Sequence, residues 1–99
     1  MTINSGLNMA EHYRAAVARH GGSSSELLGS MGCSYTVIKS GVINDHIVFD
    51  DGSVFDEQNR EVLSKDATLR ILGFQRAAVV EQKDFDIIVA EFLAGVRNQ

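Results

Sequence analysis

Apolar and polar positions alternate with two different periods along this chain, and the switch between them divides it into three parts. Met9, Tyr13, Ala16, Val17 and His20 fall on one face of a 3.6-residue period. Asn8 stands three residues before Glu11 in capping-box spacing, and Gly21 can supply a left-handed stop. A first helix is therefore predicted over Met9 to His20. Gly21-Gly22-Ser23-Ser24-Ser25 has a linker's composition, but Ser23 and Glu26 repeat the capping spacing before Leu27 and Leu28. A short second helical turn, ended by Gly29, is expected there.

From Cys33 the period becomes two, with strand-favouring residues at Tyr35, Thr36, Val37 and Ile38, then Val42 and Ile43, then Ile47, Val48 and Phe49. Asp51-Gly52 separates that last group from Ser53-Val54-Phe55, the pattern of a hairpin closed by a type I′ turn, whose central residues both need positive φ. Asn44-Asp45 suits an earlier turn. Asp56-Glu57-Gln58-Asn59 suits a later one leading to a short strand at Arg60 to Leu63. Ser64 or Asp66 can cap a short helix through Leu72, with Gly73 as its stop. The pattern of Phe74 to Val80 does not discriminate between helix, strand and loop. Phe85, Ile88, Val89, Phe92, Leu93 and Val96 then form the cleanest amphipathic stripe of the chain, and Ile87, Ala90 and Ala94 widen it.

These elements predict an α+β domain spanning residues 1–99, with an N-terminal helix, a three- to four-stranded antiparallel meander, and C-terminal helices packed on one sheet face. Helices from both ends of the chain can cover that apolar face, which leaves the opposite face to be explained.

Composition narrows the function more by exclusion than by suggestion. With 99 residues, of which 44% are apolar, the chain can bury a core without staples. Its longest apolar runs, Ala77 to Val80 and Ile87 to Ala90 among them, are far too short to cross a membrane. Met1-Thr2-Ile3-Asn4-Ser5-Gly6 lacks the basic and apolar regions of a secretory signal, so the cytoplasm is the expected address. A lone cysteine, Cys33, can build neither an internal disulfide nor a zinc cage. The absence of proline excludes stiff Pro-rich linkers.

Charge is unevenly placed. Residues 41–63 hold Asp45, Asp50, Asp51, Asp56, Glu57 and Glu61 against Arg60 alone, a net −5 set against −4 for the whole chain. Acids at the turns of one hairpin are expected to lie close together, to repel phosphate and to attract a basic protein surface. Aspartate also suits turn geometry for its own sake, which accounts for the same residues without any partner. Direct nucleic-acid binding is disfavoured because no two Lys or Arg are adjacent; Arg14 with Arg19, or Arg70 with Arg76, could form only small basic patches.

Chemical motifs are sparse. Cys33 with His46 invites a thiol nucleophile and imidazole base, but the residues around Cys33 match no known nucleophilic pattern, and a free cysteine is usually a buried packing residue. His20 suits the C-terminal carbonyls of the first helix. Asp50-Asp51-Gly52-Ser53 with Asp56-Glu57 lacks the alternation of a calcium loop, and Gly21, Gly22, Gly29 and Gly32 do not spell a phosphate loop. No catalytic residue, metal or cofactor is therefore expected. The reading that follows is a small acidic protein-binding module whose Asp45, Asp50, Asp51, Asp56, Glu57 and Glu61 dock on a basic partner. That partner could be a nucleic-acid-binding protein, blocked by carboxylates that mimic phosphates. In size and charge, without any shared motif, the chain is similar to small phage-encoded inhibitors such as anti-CRISPR proteins. Two further readings are a homo-oligomeric assembly subunit, pairing through a strand edge or the last helix, and a small enzyme using Cys33 and His46.

Overall fold

The computed structural model describes residues 8–21, 24–40, 44–74 and 80–97. Along the chain these form α1 (Met9–His20), α2 (Ser24–Met31), β1 (Tyr35–Ser40), β2 (Asn44–Phe49), β3 (Val54–Asp56), β4 (Glu61–Val62), α3 (Lys65–Ile71) and α4 (Gln82–Arg97). The strands make one antiparallel sheet in the order β1-β2-β3-β4, a meander followed by two C-terminal helices, which is the predicted α+β class. Ser23, Val42, Ile43, Arg76 and most of Phe74 to Val80 lie outside the described residues, so the expectations placed on them have no structural counterpart.

α1 has the predicted bounds because both ends are capped from nearby sequence. Asn8 Oδ1 accepts the Glu11 N–H at 2.8 Å, and Gly21, at φ +61°, donates its own N–H to the Val17 carbonyl. His20 is exposed rather than part of the buried face; Ala10 completes that face with Tyr13, Ala16 and Val17. α2 runs through Gly29 to Met31, beyond the expected stop. A glycine inside a helix costs only about 1 kcal/mol, and the burial of Leu27 and Leu28 outweighs it. The left-handed residue is instead Gly32, at φ +66°.

The β2–β3 hairpin forms, but not on a type I′ turn. Arg60 is the only non-glycine with positive φ among the described residues, so Asp50 and Asp51 do not adopt the left-handed backbone that turn requires. Gly52 donates to the Phe49 carbonyl at 2.9 Å and has φ +87°, while Phe49 and Ser53 pair across the base. This is a three-residue loop, a β-turn followed by one left-handed glycine. β4 is shorter than expected, Glu61–Val62 rather than Arg60 to Leu63, because Arg60 turns into the left-handed region at φ 56°. Ser64 caps α3 by accepting the Ala67 N–H, and Gly73 follows that helix at φ +87°.

Strand pleating sends neighbouring side chains to opposite faces, and the two faces have different covers. Ile47, Phe49, Phe55 and Val62 pack against Ala10, Tyr13, Ala16 and Val17 of α1 and Leu27 and Leu28 of α2. The Tyr13 ring meets Phe55 edge-on, with centroids 5.0 Å apart. Val48, Val54 and Ile38 pack on the other side against Leu69 of α3 and Phe85, Val89 and Leu93 of α4. The N-terminal and C-terminal helices therefore divide the sheet between them instead of sharing one face, because both faces of the short meander are apolar.

Candidate functional site

The six acids singled out by the sequence are not gathered in one place. Asp50 and Asp51 sit at the β2–β3 loop, whereas Asp45, Asp56, Glu57 and Glu61 sit at the far end of the same strands. Five strand steps from Asp45 to Asp50 separate the groups by about 17 Å. The expected single acidic tip is thus two separate patches.

Two of the six are also turned inward. Asp51 Oδ2 accepts the Met9 N–H at 2.7 Å, and its Oδ1 accepts the Ser53 N–H at 2.9 Å and the Ser53 hydroxyl. Ser53 Oγ in turn accepts the Ala10 N–H at 3.0 Å. Together with Asn8, the loop satisfies the N–H groups of the first three residues of α1, donors that a helix cannot satisfy internally. A carboxylate at that position is also favoured by the helix dipole. Asp56 is 4% exposed, and its carboxylate accepts the Gln58 and Asn59 N–H groups and the Asn59 side-chain amide at 2.9 Å. It shapes the β3–β4 turn from within, as aspartate does in an Asx turn.

The other four reach the surface to different degrees. Asp50 and Glu61 are exposed, and Glu57 is half-buried. Asp45 is half-buried and pairs with Lys39, directly across the β1–β2 ladder, at 3.4 Å. The backbone joins two of them, since Glu57 donates its N–H to the Asp45 carbonyl at 3.0 Å, whereas Glu61 faces Asp56 in the β3–β4 register and so projects to the opposite sheet face from Asp45. Asp45, Glu57 and Glu61 are thus the acids of one sheet end, with Lys39 and Arg60 as the nearby bases.

Cys33 and His46 are not brought together. Cys33 packs against the α1 and α2 core, whereas His46 stands opposite Ile38 and Asp56, whose side chains take the other sheet face. Burial, followed by the Asp51 and Asp50 carboxylates, pushes the Cys33 thiol above its ordinary range, the reverse of what activates a nucleophile. His46 is 6% exposed and its Nδ1 has no hydrogen-bond partner among the described residues. Those residues contain no group of three or more His, Cys, Asp or Glu placed to hold a metal ion. Of the small basic patches considered, Arg70 is paired with Asp66 at 3.0 Å, and Arg14 and Arg19 are both exposed on α1.

One surface feature escaped the sequence reading. α1 lies over β2, β3 and β4, so β1 at the sheet edge keeps Tyr35 39% and Val37 42% exposed on the α1 side. The alternation of Tyr35, Val37 and Lys39 indicated that they share a face; only the strand order shows that the face is uncovered. No helix among the described residues is long and apolar enough to cross a membrane. Comparison of the chain with protein-family models, with curated proteins and with solved structures returns no match.

Proposed function

We propose that this chain is a small protein-binding module that presents an acidic surface to a basic partner. Asp45 and Glu57, joined at one end of the sheet by the Glu57 to Asp45 backbone hydrogen bond, carry the reading, and Glu61 adds its charge at the same end from the opposite sheet face. Asp50 adds a separate charge at the opposite loop, while Asp51 and Asp56 contribute through the fold they maintain. A fitting partner would bear Lys and Arg arranged for phosphates, as a cytoplasmic nucleic-acid-binding protein does; occupying those side chains would inhibit it. The test compares wild type with an Asp45→Asn, Glu57→Gln, Glu61→Gln variant in affinity capture from source-cell lysate, followed by association kinetics on the captured protein. Recovery of a basic, nucleic-acid-handling protein by wild type, with a slower on-rate for the variant, is the expected result. Equal recovery and equal kinetics by both forms would overturn the acidic-surface reading.

The exposed Tyr35 and Val37 favour a second reading, a homo-oligomeric assembly subunit. A six-residue edge strand with two uncovered apolar side chains is a template for further strand pairing. Light scattering across a range of concentrations separates the two, since a protein that remains a monomer throughout does not assemble through that edge.

A further inference from the structure

The two edges of the sheet are unequal. β4 offers two residues, whereas β1 offers six in unbroken register with β2, from Tyr35 opposite Phe49 to Ser40 opposite Asn44. Natural edge strands are commonly blunted by shortness, a bulge, a proline or charge. β1 has neither bulge nor proline and carries a single charge, Lys39, near its end.

Lys39 pairs with Asp45 of β2 at 3.4 Å while most of its side chain stays exposed. Asp50 donates its backbone N–H to the Ser34 carbonyl at 3.2 Å, so the start of β1 lies beside the Asp50-Asp51 loop, while Lys39 lies at its finish. An antiparallel strand reverses this order, and a second β1 would bring its Lys39 to the Tyr35 end of the first. The edge is therefore complementary to itself, and a two-fold axis through the strand makes both halves of the contact identical.

Resting on the assembly reading above, we propose that two copies of this chain pair antiparallel through β1 about a two-fold axis at Val37, making one continuous eight-stranded sheet. In this register Val37 faces Val37 of the second copy, Tyr35 faces its Lys39, and Thr36 faces its Ile38. The exposed face of each β1 then gains one apolar pair, flanked by two contacts between an aromatic ring and an ammonium group. Directly opposed residues have Cα atoms about 4.5 to 5.5 Å apart, within disulfide range.

The test uses the full chain in sedimentation and light scattering, with Val37→Lys as the disrupting variant. Cysteine cross-linking complements it, in a Cys33→Ser background carrying either Val37→Cys or, as a control on α4, Ile87→Cys. The expected result is a species of twice the protomer mass at high concentration, lost in Val37→Lys with the far-ultraviolet circular dichroism unchanged, and oxidative cross-linking of Val37→Cys but not Ile87→Cys. A dimer that persists in Val37→Lys, or that cross-links through Ile87→Cys and not through Val37→Cys, overturns the β1 register and leaves assembly through another surface standing. A strict monomer at every concentration overturns both.

Discussion

The Asp51 carboxylate accepts the Met9 N–H at 2.7 Å across 42 positions of the chain, so the β2–β3 loop serves as a cap for the first helix. Ser53 does the same for Ala10, and the Ser53 hydroxyl is itself held by Asp51. A residue that looks like surface charge in the sequence thereby joins α1 to the sheet.

Asp51→Ala leaves the Met9 N–H and the Ser53 groups without their acceptor, and its expected cost is about 2 to 3 kcal/mol, as for a lost charge-assisted hydrogen bond. Asn8→Ala removes a local cap and should cost about 1 kcal/mol. Urea unfolding of both variants checks the order. A double-mutant cycle of Asp51→Ala with Ser53→Ala should be non-additive, because the two side chains share one network.

Gly52 and Gly73 share a φ of +87° but differ in surroundings: a Cβ on Gly52 would lie 3.3 Å from Phe85 Cε2, whereas one on Gly73 meets nothing within 4 Å. Gly73→Ala therefore isolates the backbone cost, of order 1 kcal/mol, and Gly52→Ala adds the displacement of the Phe85 ring. The expected order of unfolding midpoints is wild type, then Gly73→Ala, then Gly52→Ala. Equal midpoints for the two variants would show that the loop does not press on α4.

Neutralising the acids should separate them into two groups. Asp56→Asn places an amide where a carboxylate accepts three N–H groups, and about 1 to 3 kcal/mol of stability is expected to be lost. Glu57→Gln and Glu61→Gln should each stay within about 0.5 kcal/mol of wild type, as surface substitutions do. Thermal unfolding of the three single variants measures the division and identifies which acids can be altered in a binding assay without harming the fold.

The raised pKa of Cys33 has a definite sign in linkage. In the alkaline range the unfolded chain releases the thiol proton first, at the ordinary thiol pKa, while the folded chain still holds it. The stability associated with the neutral thiol is present below that value and declines as pH rises through the folded pKa. Cys33→Ser should flatten the alkaline fall in stability. Native Cys33 should also react with iodoacetamide at pH 8 more slowly than the same residue in urea.

Where the determining interactions are local, the sequence was sufficient. Asn8, Glu11 and Gly21 bound α1 at both ends, Ser64 and Gly73 bound α3, and the Phe85, Val89, Leu93 stripe marked α4, because caps and helical periodicity act over one or two turns. The hairpin was legible in Asp51-Gly52, but its turn type was not, since Asp51 serves a helix 42 residues away as well as its own loop.

The sequence by itself determined the elements and their order: a capped helix, an antiparallel meander and a final amphipathic helix. Tertiary structure alone decided which helices take which sheet face, that Asp51 and Asp56 are turned inward, that Cys33 and His46 stand on opposite sides, and that Tyr35 and Val37 remain uncovered on the β1 edge. Alternation along a strand states that neighbouring residues part company without stating what each meets. That depends on strand order and on contacts between residues far apart in the chain, where burial and the demand for hydrogen-bond partners are settled together.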